Sequence, residues 1–211
     1  MGRGLKYDIP GDDWRREVDC VAERGWEHEF APGLGRPLRL VIEIGFGRGE
    51  FLIELAGKNP DTAFVGVEVS FKRCLKTARR LARTGLRNVR LIEGRGQTVI
   101  EHLCEPGSVS ALWINFSDPW PKDRHAGRRL LQGPFVAAVE RALAPGGRFH
   151  IATDDTPYAQ QIDSLLAAGG LDNAFAPDPW RSEVVGRLRT AYEETWRQER
   201  RPLYFFEYVR R

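Results

Sequence analysis

Apolar positions come in short runs separated by amphipathic stretches, an alternation that predicts strands interleaved with helices. Leu38 to Ile44 is apolar except at Arg39 and Glu43, as expected of a parallel strand covered on both faces. Ala63 to Glu68, Val89 to Ile92, Ala111 to Asn115 and Arg148 to Thr153 repeat the pattern. Helical spacing marks Glu50 to Lys58, a stretch that Ser70 can cap and that runs to about Thr84, Thr98 to Leu103, Pro134 to Leu143, and Pro157 to Ala168. In the second of these, Lys72, Lys76, Arg79 and Arg83 recur opposite Leu75, Ala78 and Ala82, which a solvated helix face explains without a partner. Strands alternating with helices predict an α/β fold with a doubly wound, mostly parallel sheet and helices on both faces. Pro145-Gly146-Gly147 reads as a turn. Pro177 and Pro179 open an irregular segment, Ser182 to Gln198 is charged with helical character, and Leu203 to Val209 reads as an aromatic strand. Residues 1–37 show no clear period and are expected to form an arm packed on a domain of residues 38–211.

Three alternating glycines, Gly45, Gly47 and Gly49, break the first strand from the first helix. Without side chains there, a ligand can lie against the backbone and meet the amides that open the helix. A dinucleotide loop has the spacing G-x-G-x-x-G and receives a pyrophosphate. Here the spacing is G-x-G-x-G, and Glu43 stands two residues ahead. A carboxylate so placed repels a pyrophosphate and favours a ligand with a cationic end. S-adenosylmethionine, with an ammonium, a sulfonium and no phosphate, meets that requirement. Glu68 closes the second strand at about the distance, near twenty residues, at which such folds offer an acid to ribose hydroxyls. A surface acid at a strand end is the plainer alternative.

Composition narrows the picture further. The 211 residues, 42% of them apolar, suit one globular domain with a sizeable core. A formal net charge of +3 conceals a bias: of the 32 basic residues, only Lys6, Lys58, Lys72, Lys76 and Lys122 are not arginine. Arginine is the better fork for phosphates and base edges, although codon usage suffices to explain most of these residues. Cys20, Cys74 and Cys104 are far apart and form no C-x-x-C pair, so reduced thiols and no metal site are expected. Met1 to Pro10 lacks the apolar core of a signal peptide, and no stretch approaches eighteen apolar residues. A soluble, cytoplasmic protein with no membrane partner is expected, as a monomer or a homodimer.

The stretch from Asn115 to Leu130 reads N-F-S-D-P-W-P-K-D-R-H-A-G-R-R-L and leaves the carboxyl end of the fourth strand, the edge where an open α/β sheet binds ligands. It resembles the N-F-P-D-P-W-P-K-x-R-H-x-K-R-R-L signature of the bacterial tRNA (guanine-N7) methyltransferases, with Ser117 and Gly127 as departures. Ala152-Thr153-Asp154 with Tyr158, and Thr190-Ala191-Tyr192-Glu193, are similar to two further motifs of that family, and the likeness runs from about Leu38 to Val209. The resemblance implies a class I methyltransferase with a Rossmann-like sheet of seven strands, the last antiparallel. It implies methyl transfer from S-adenosylmethionine to N7 of a guanine in tRNA, at position 46 of the variable loop. Glu43, Gly45, Gly47, Gly49 and Glu68 would then line the cofactor, and the catalytic residue Asp118 would lie beside both cofactor and base. Lys122, Asp154, Thr190 and Glu193 would bind tRNA.

Guanine N7 bears a lone pair and no proton, so the transfer needs alignment rather than a general base, and no catalytic Cys or His is required. Positive charge passes to the guanine ring as the methyl moves, and Asp118 and Asp154 would stabilise it. Glu193 would accept from guanine N1–H and the 2-amino group, donors that adenine does not match. The plainer alternatives are that Asp154 caps the helix at Pro157 and that Glu193 pairs with Arg189 or Arg197. Arg124, Arg128 and Arg129 join Lys122 beside the site, where phosphate contacts outweigh an ordinary solvated loop. His125 suits a loop hydrogen bond as well as a tRNA contact, and Trp120 suits packing more than stacking. Arg95 stands where the family has an Asp near the adenine, so Gln97, Glu93 or backbone groups would supply that acceptor.

Two other functions remain. Ser117-Asp118-Pro119-Trp120 is similar to the [DNS]-P-P-[YFW] site of exocyclic-amine methyltransferases, without its second proline. A non-catalytic RNA-binding module with a decayed cofactor site would account for Arg95.

Overall fold

A computed structural model of the chain describes residues 6–30, 34 and 38–211. The parts of the expected arm at 1–5, 31–33 and 35–37 lie outside the described residues. In chain order, β1 (Arg15–Arg16) and α1 (Val18–Glu29) precede β2 (Leu40–Ile44), α2 (Glu50–Lys58), β3 (Ala63–Glu68), α3 (Phe71–Leu81), β4 (Val89–Glu93) and α4 (Gly96–His102). Then follow β5 (Val109–Asn115), a 3₁₀ turn (Asp123–Arg128), α5 (Gly133–Ala142), β6 (Leu143–Thr153), α6 (Thr156–Ala167), β7 (Asp172–Asn173), α7 (Ala191–Gln198) and β8 (Tyr204–Val209).

The strands form one sheet in the order β1-β4-β3-β2-β5-β6-β8-β7, parallel except for the antiparallel pairings of β8 with β6 and β7. All five residues of β2 are buried, as its apolar run requires. From β2 the chain moves outward through β3 and β4, then crosses back to lay β5 on the other side of β2. The order reverses between β2 and β5, so a crevice opens outside the carboxyl ends of these two strands.

Three expectations are corrected. The sheet has eight strands rather than seven, because the arm supplies β1, whose Arg15 and Arg16 pair with Leu91 and Ile92, and because β7 adds a two-residue edge. The arm also contains a helix, whose period is hidden by a kink at Gly25, where φ is 73°. Arg90 of β4 fixes the arm to the sheet: its guanidinium lies 4.5 Å from the Trp14 ring and 4.6 Å from the Phe30 ring and donates to the carbonyls of Glu29, Arg87 and Val89. Burial lowers its pKa to about 10. Near the other end, the stretch expected to be helical from Ser182 is helical only over α7. Gly186 takes φ +77°, and Thr190 starts the helix by accepting from the Glu193 amide at 3.0 Å. None of the described helices is long and apolar enough to cross a membrane.

Candidate functional site

The glycine loop follows β2 into the crevice. Gly45 donates to the Val67 carbonyl at 2.7 Å, which ties the loop to β3. Gly49 caps α2 with φ +71°, and a Cβ there would lie 2.3 Å from the Thr77 side chain, so any other residue would be strained and would displace Thr77. Glu68, buried at the end of β3, accepts from the Gly47 amide through Oε2 and from the Ser70 amide through Oε1, both at 3.0 Å. Arg73 lies 3.6 Å from Oε2. Each carboxylate oxygen retains a lone pair for a further donor.

Two cavities open at this edge. The larger, about 650 Å³, is bordered by Glu68, Val69, Arg95, Gln97, Glu101, Ser117 and Arg128. The smaller, about 340 Å³, is bordered by Glu43, Asn115, Asp154, Thr190, Tyr192 and Trp196. Gly45 and Asp118 line both.

Glu43, on β2, is 3% exposed and accepts from Asn115 Nδ2 at 3.1 Å through Oε1. Its Oε2 is buried with no hydrogen-bond partner among the described residues. Burial pushes the carboxyl up to about 7, against the opposing influence of the Asn115 hydrogen bond and of Arg187. Such a group gains most from a cation.

The predicted site residues divide by position. Asp118 is exposed at the shared wall. Asp154 is half-buried on the smaller cavity and pairs with Arg201 at 3.1 Å. It does not cap α6; Asp155 does, accepting from the Tyr158 amide at 2.8 Å. Arg95 is exposed at the start of α4, and Gln97 faces the same cavity. Lys122, Arg124 and Arg128 are exposed on the loop after β5, where Arg128 covers the Trp120 ring at 5.2 Å and His125 meets its edge at 5.8 Å. Trp120 thus meets both side chains while bordering the larger cavity.

Two residues expected to contact RNA are engaged by neighbouring side chains and backbone. Arg129 is 9% exposed where it borders the larger cavity, and it donates to the Pro119 carbonyl at 2.6 Å, the Trp120 carbonyl and Gln161, which ties it to the loop and to α6. Glu193 is 2% exposed and lines neither cavity. Its oxygens are taken by Arg187 at 2.5 Å and Arg197 at 3.0 Å, so it is not available as a base acceptor in this arrangement. Thr190 borders the smaller cavity while its hydroxyl caps α7.

Several residues at the site had no role in the sequence reading. Glu101 lies one helical turn after Gln97, an i,i+4 spacing that could have flagged it. Arg201 and Arg187 carried no local signal. Cys74 and Cys104 are buried, with thiols pushed up to about 12 by burial, and neither lines the site. Among the described residues no group of three or more His, Cys, Asp or Glu side chains could hold a metal ion.

A family model described as "Putative methyltransferase" matches residues 38–206. A tRNA (guanine-N(7)-)-methyltransferase of Geobacter metallireducens is 36% identical over 181 residues, covering 85% of this chain and 86% of that protein. One of Thermus thermophilus is 36% identical over 186 residues, covering 88% of this chain and 58% of that protein. Among solved structures, the 16S rRNA methyltransferase KamB aligns with a TM-score of 0.61 at 16% identity, over 81% of this chain and 87% of its own, a likeness of fold alone.

Proposed function

The chain belongs to the methyltransferase family whose model it matches over residues 38–206, and from that membership we propose that it transfers a methyl group from S-adenosylmethionine to N7 of a guanine in tRNA. The observation that carries this reading is the pair of cavities that meet at Gly45 and Asp118, one lined by acids and amides suited to a nucleoside and the other by acids and aromatic rings. The residues fit the cofactor's charge: Glu43 Oε2 is a buried acceptor without a partner among the described residues, as an ammonium requires. Glu68 has lone pairs for ribose hydroxyls, and Gln97 and Glu101 offer acceptors to an adenine amine. S-adenosylmethionine supplies an electrophilic methyl on a sulfonium.

Asp118 is assigned the charge-stabilising role, because it stands where the two cavities join and carries the negative charge that the guanine ring comes to need. Asp154 faces the smaller cavity and adds a second carboxylate. Arg129 and Glu193 are assigned to holding the walls. The test is incubation with tRNA and S-adenosylmethionine followed by nucleoside mass spectrometry. The expected product is 7-methylguanosine mapped to the variable loop. A methylated exocyclic amine would favour the first alternative, and tRNA binding without methylation the decayed module.

Lys122, Arg124 and Arg128 are assigned to tRNA phosphates. Replacing all three with alanine is expected to weaken tRNA binding and to lower the slope of log affinity against log salt by about 2 to 3. An unchanged slope in filter-binding titrations from low to moderate salt removes these residues from the RNA interface.

Cofactor affinity should also depend on pH. A folded carboxyl with a pKa near 7 holds its proton below that value, whereas a bound ammonium requires the ionised form, so binding at lower pH must first expel the proton. Affinity for S-adenosylhomocysteine is expected to fall by about tenfold between pH 8 and pH 6, with proton release detectable in buffers of different ionisation enthalpy. The Glu43→Gln variant should show a flat profile. A flat profile in the unmodified protein sets the assignment aside.

A further inference from the structure

Arg187 lines neither cavity of the site, and its side chain is 7% exposed. It packs against the rings of Phe205 at 4.7 Å, Trp113 at 5.7 Å and Phe51 at 5.9 Å. Nη1 donates to Glu193 Oε2 at 2.5 Å and to the Leu188 carbonyl at 3.2 Å, while Nη2 donates to Asn115 Oδ1 at 2.5 Å. A guanidinium has only donors, so the Asn115 amide can present it nothing but the carbonyl. The amide's other end then faces Glu43, with Nδ2 donating to Oε1 at 3.1 Å. Turned over, the amide would set its NH₂ against a cation and its oxygen against a carboxylate.

The consequence reaches the ligand side. With Nδ2 occupying Oε1, the buried Oε2 is left as the acceptor without a partner among the described residues. If Asn115 were free to turn, a protonated Glu43 could donate to Asn115 Oδ1 instead, a form unable to hold a cation. We propose that Arg187 is a positioning residue for the cofactor: by fixing the Asn115 amide it keeps Glu43 an acceptor for the ammonium of S-adenosylmethionine, without touching the ligand. This rests on the methyl-donor reading above. The same guanidinium holds Glu193 in the first turn of α7, the helix whose Tyr192 and Trp196 border the smaller cavity. One buried fork thus sets the cofactor acid and the opposite wall together. A lysine cannot replace it, since a point-like ammonium does not fix two acceptors in a rigid geometry.

The test uses two nucleosides that differ at the relevant group. S-adenosylhomocysteine has the ammonium; 5′-methylthioadenosine has the adenosine and lacks it. Calorimetric titrations of both are compared for the unmodified protein, Arg187→Met and Arg187→Lys. Each substitution is expected to weaken S-adenosylhomocysteine about tenfold while methylthioadenosine stays within about twofold. Arg187→Lys retains a cation for Glu193 and supplies the decisive data if Arg187→Met does not fold. Equal weakening of both nucleosides means that Arg187 only supports the fold, and unchanged S-adenosylhomocysteine binding means that Asn115 does not need it; either overturns the proposal. If the unmodified protein binds neither nucleoside, the methyl-donor reading itself falls and takes the proposal with it.

Discussion

Glu193→Ala is expected to destabilise the protein by about 3 to 5 kcal/mol, the range for removing one member of a buried ion pair. Glu193 and Arg187 are 2% and 7% exposed, so solvent does not screen their interaction. Deleting the carboxylate strands a buried guanidinium beside Phe205 and Trp113, with its remaining donors on Asn115 and the backbone. In a chain of this length the loss corresponds to a fall of roughly 6 to 20 °C in Tm. Glu193→Gln, which preserves shape and loses charge, should fall between the two proteins. Thermal unfolding followed by circular dichroism checks this. A variant as stable as the unmodified protein but poor at methyl transfer would return Glu193 to the guanine, as the family resemblance implies.

Asp118→Asn is expected to slow methyl transfer by about 10²- to 10³-fold, the effect of removing one preorganised electrostatic contact from a transition state. Asp118 is exposed and makes no hydrogen bond or ion pair with a described residue, so the substitution leaves no buried group unpaired. Stability should therefore stay within about 0.5 kcal/mol, as for surface substitutions generally. The loss should appear in single-turnover rates, with S-adenosylhomocysteine affinity nearly unchanged. A rate reduced less than about tenfold would mean that alignment alone carries the reaction, without help from this charge.

The two variants separate what was legible in the sequence from what was not. The position of Asp118 was legible because it depends on short-range order: β5 ends at Asn115, and three residues later an acid stands at the sheet edge, whereas its proposed role rests on the family resemblance. The places of Glu43 and Glu68 on their strands and of the three glycines in the loop between β2 and α2 were legible for the same reason. The arm was not, because Gly25 breaks the period of α1 and a two-residue strand has too few positions to show alternation. Arg129 looked like its neighbours Arg124 and Arg128 in the sequence. Only the packing of Tyr158, whose ring lies 5.3 Å from its guanidinium, and of Gln161, both from α6, shows that its side chain is held by that helix.

By itself the sequence determined the alternation of strands and helices, the glycine loop after β2 and the acids at the carboxyl edge. Hydrophobic period, glycine spacing and strand ends are set by neighbours within a few residues, where the chain's own geometry leaves little choice. The tertiary structure decided which acids face the cavities and which are held by arginines. Laying β5 beside β2 brings Asn115 to Glu43, and the loop before α7 then brings Arg187 to Asn115, each across 72 positions of chain. It also gave the helix cap to Asp155 and left Asp154 on the cavity, a choice between adjacent carboxylates that their spacing does not make. A carboxylate's role depends on the donors that reach it and on the water it loses, and both come from segments distant in sequence.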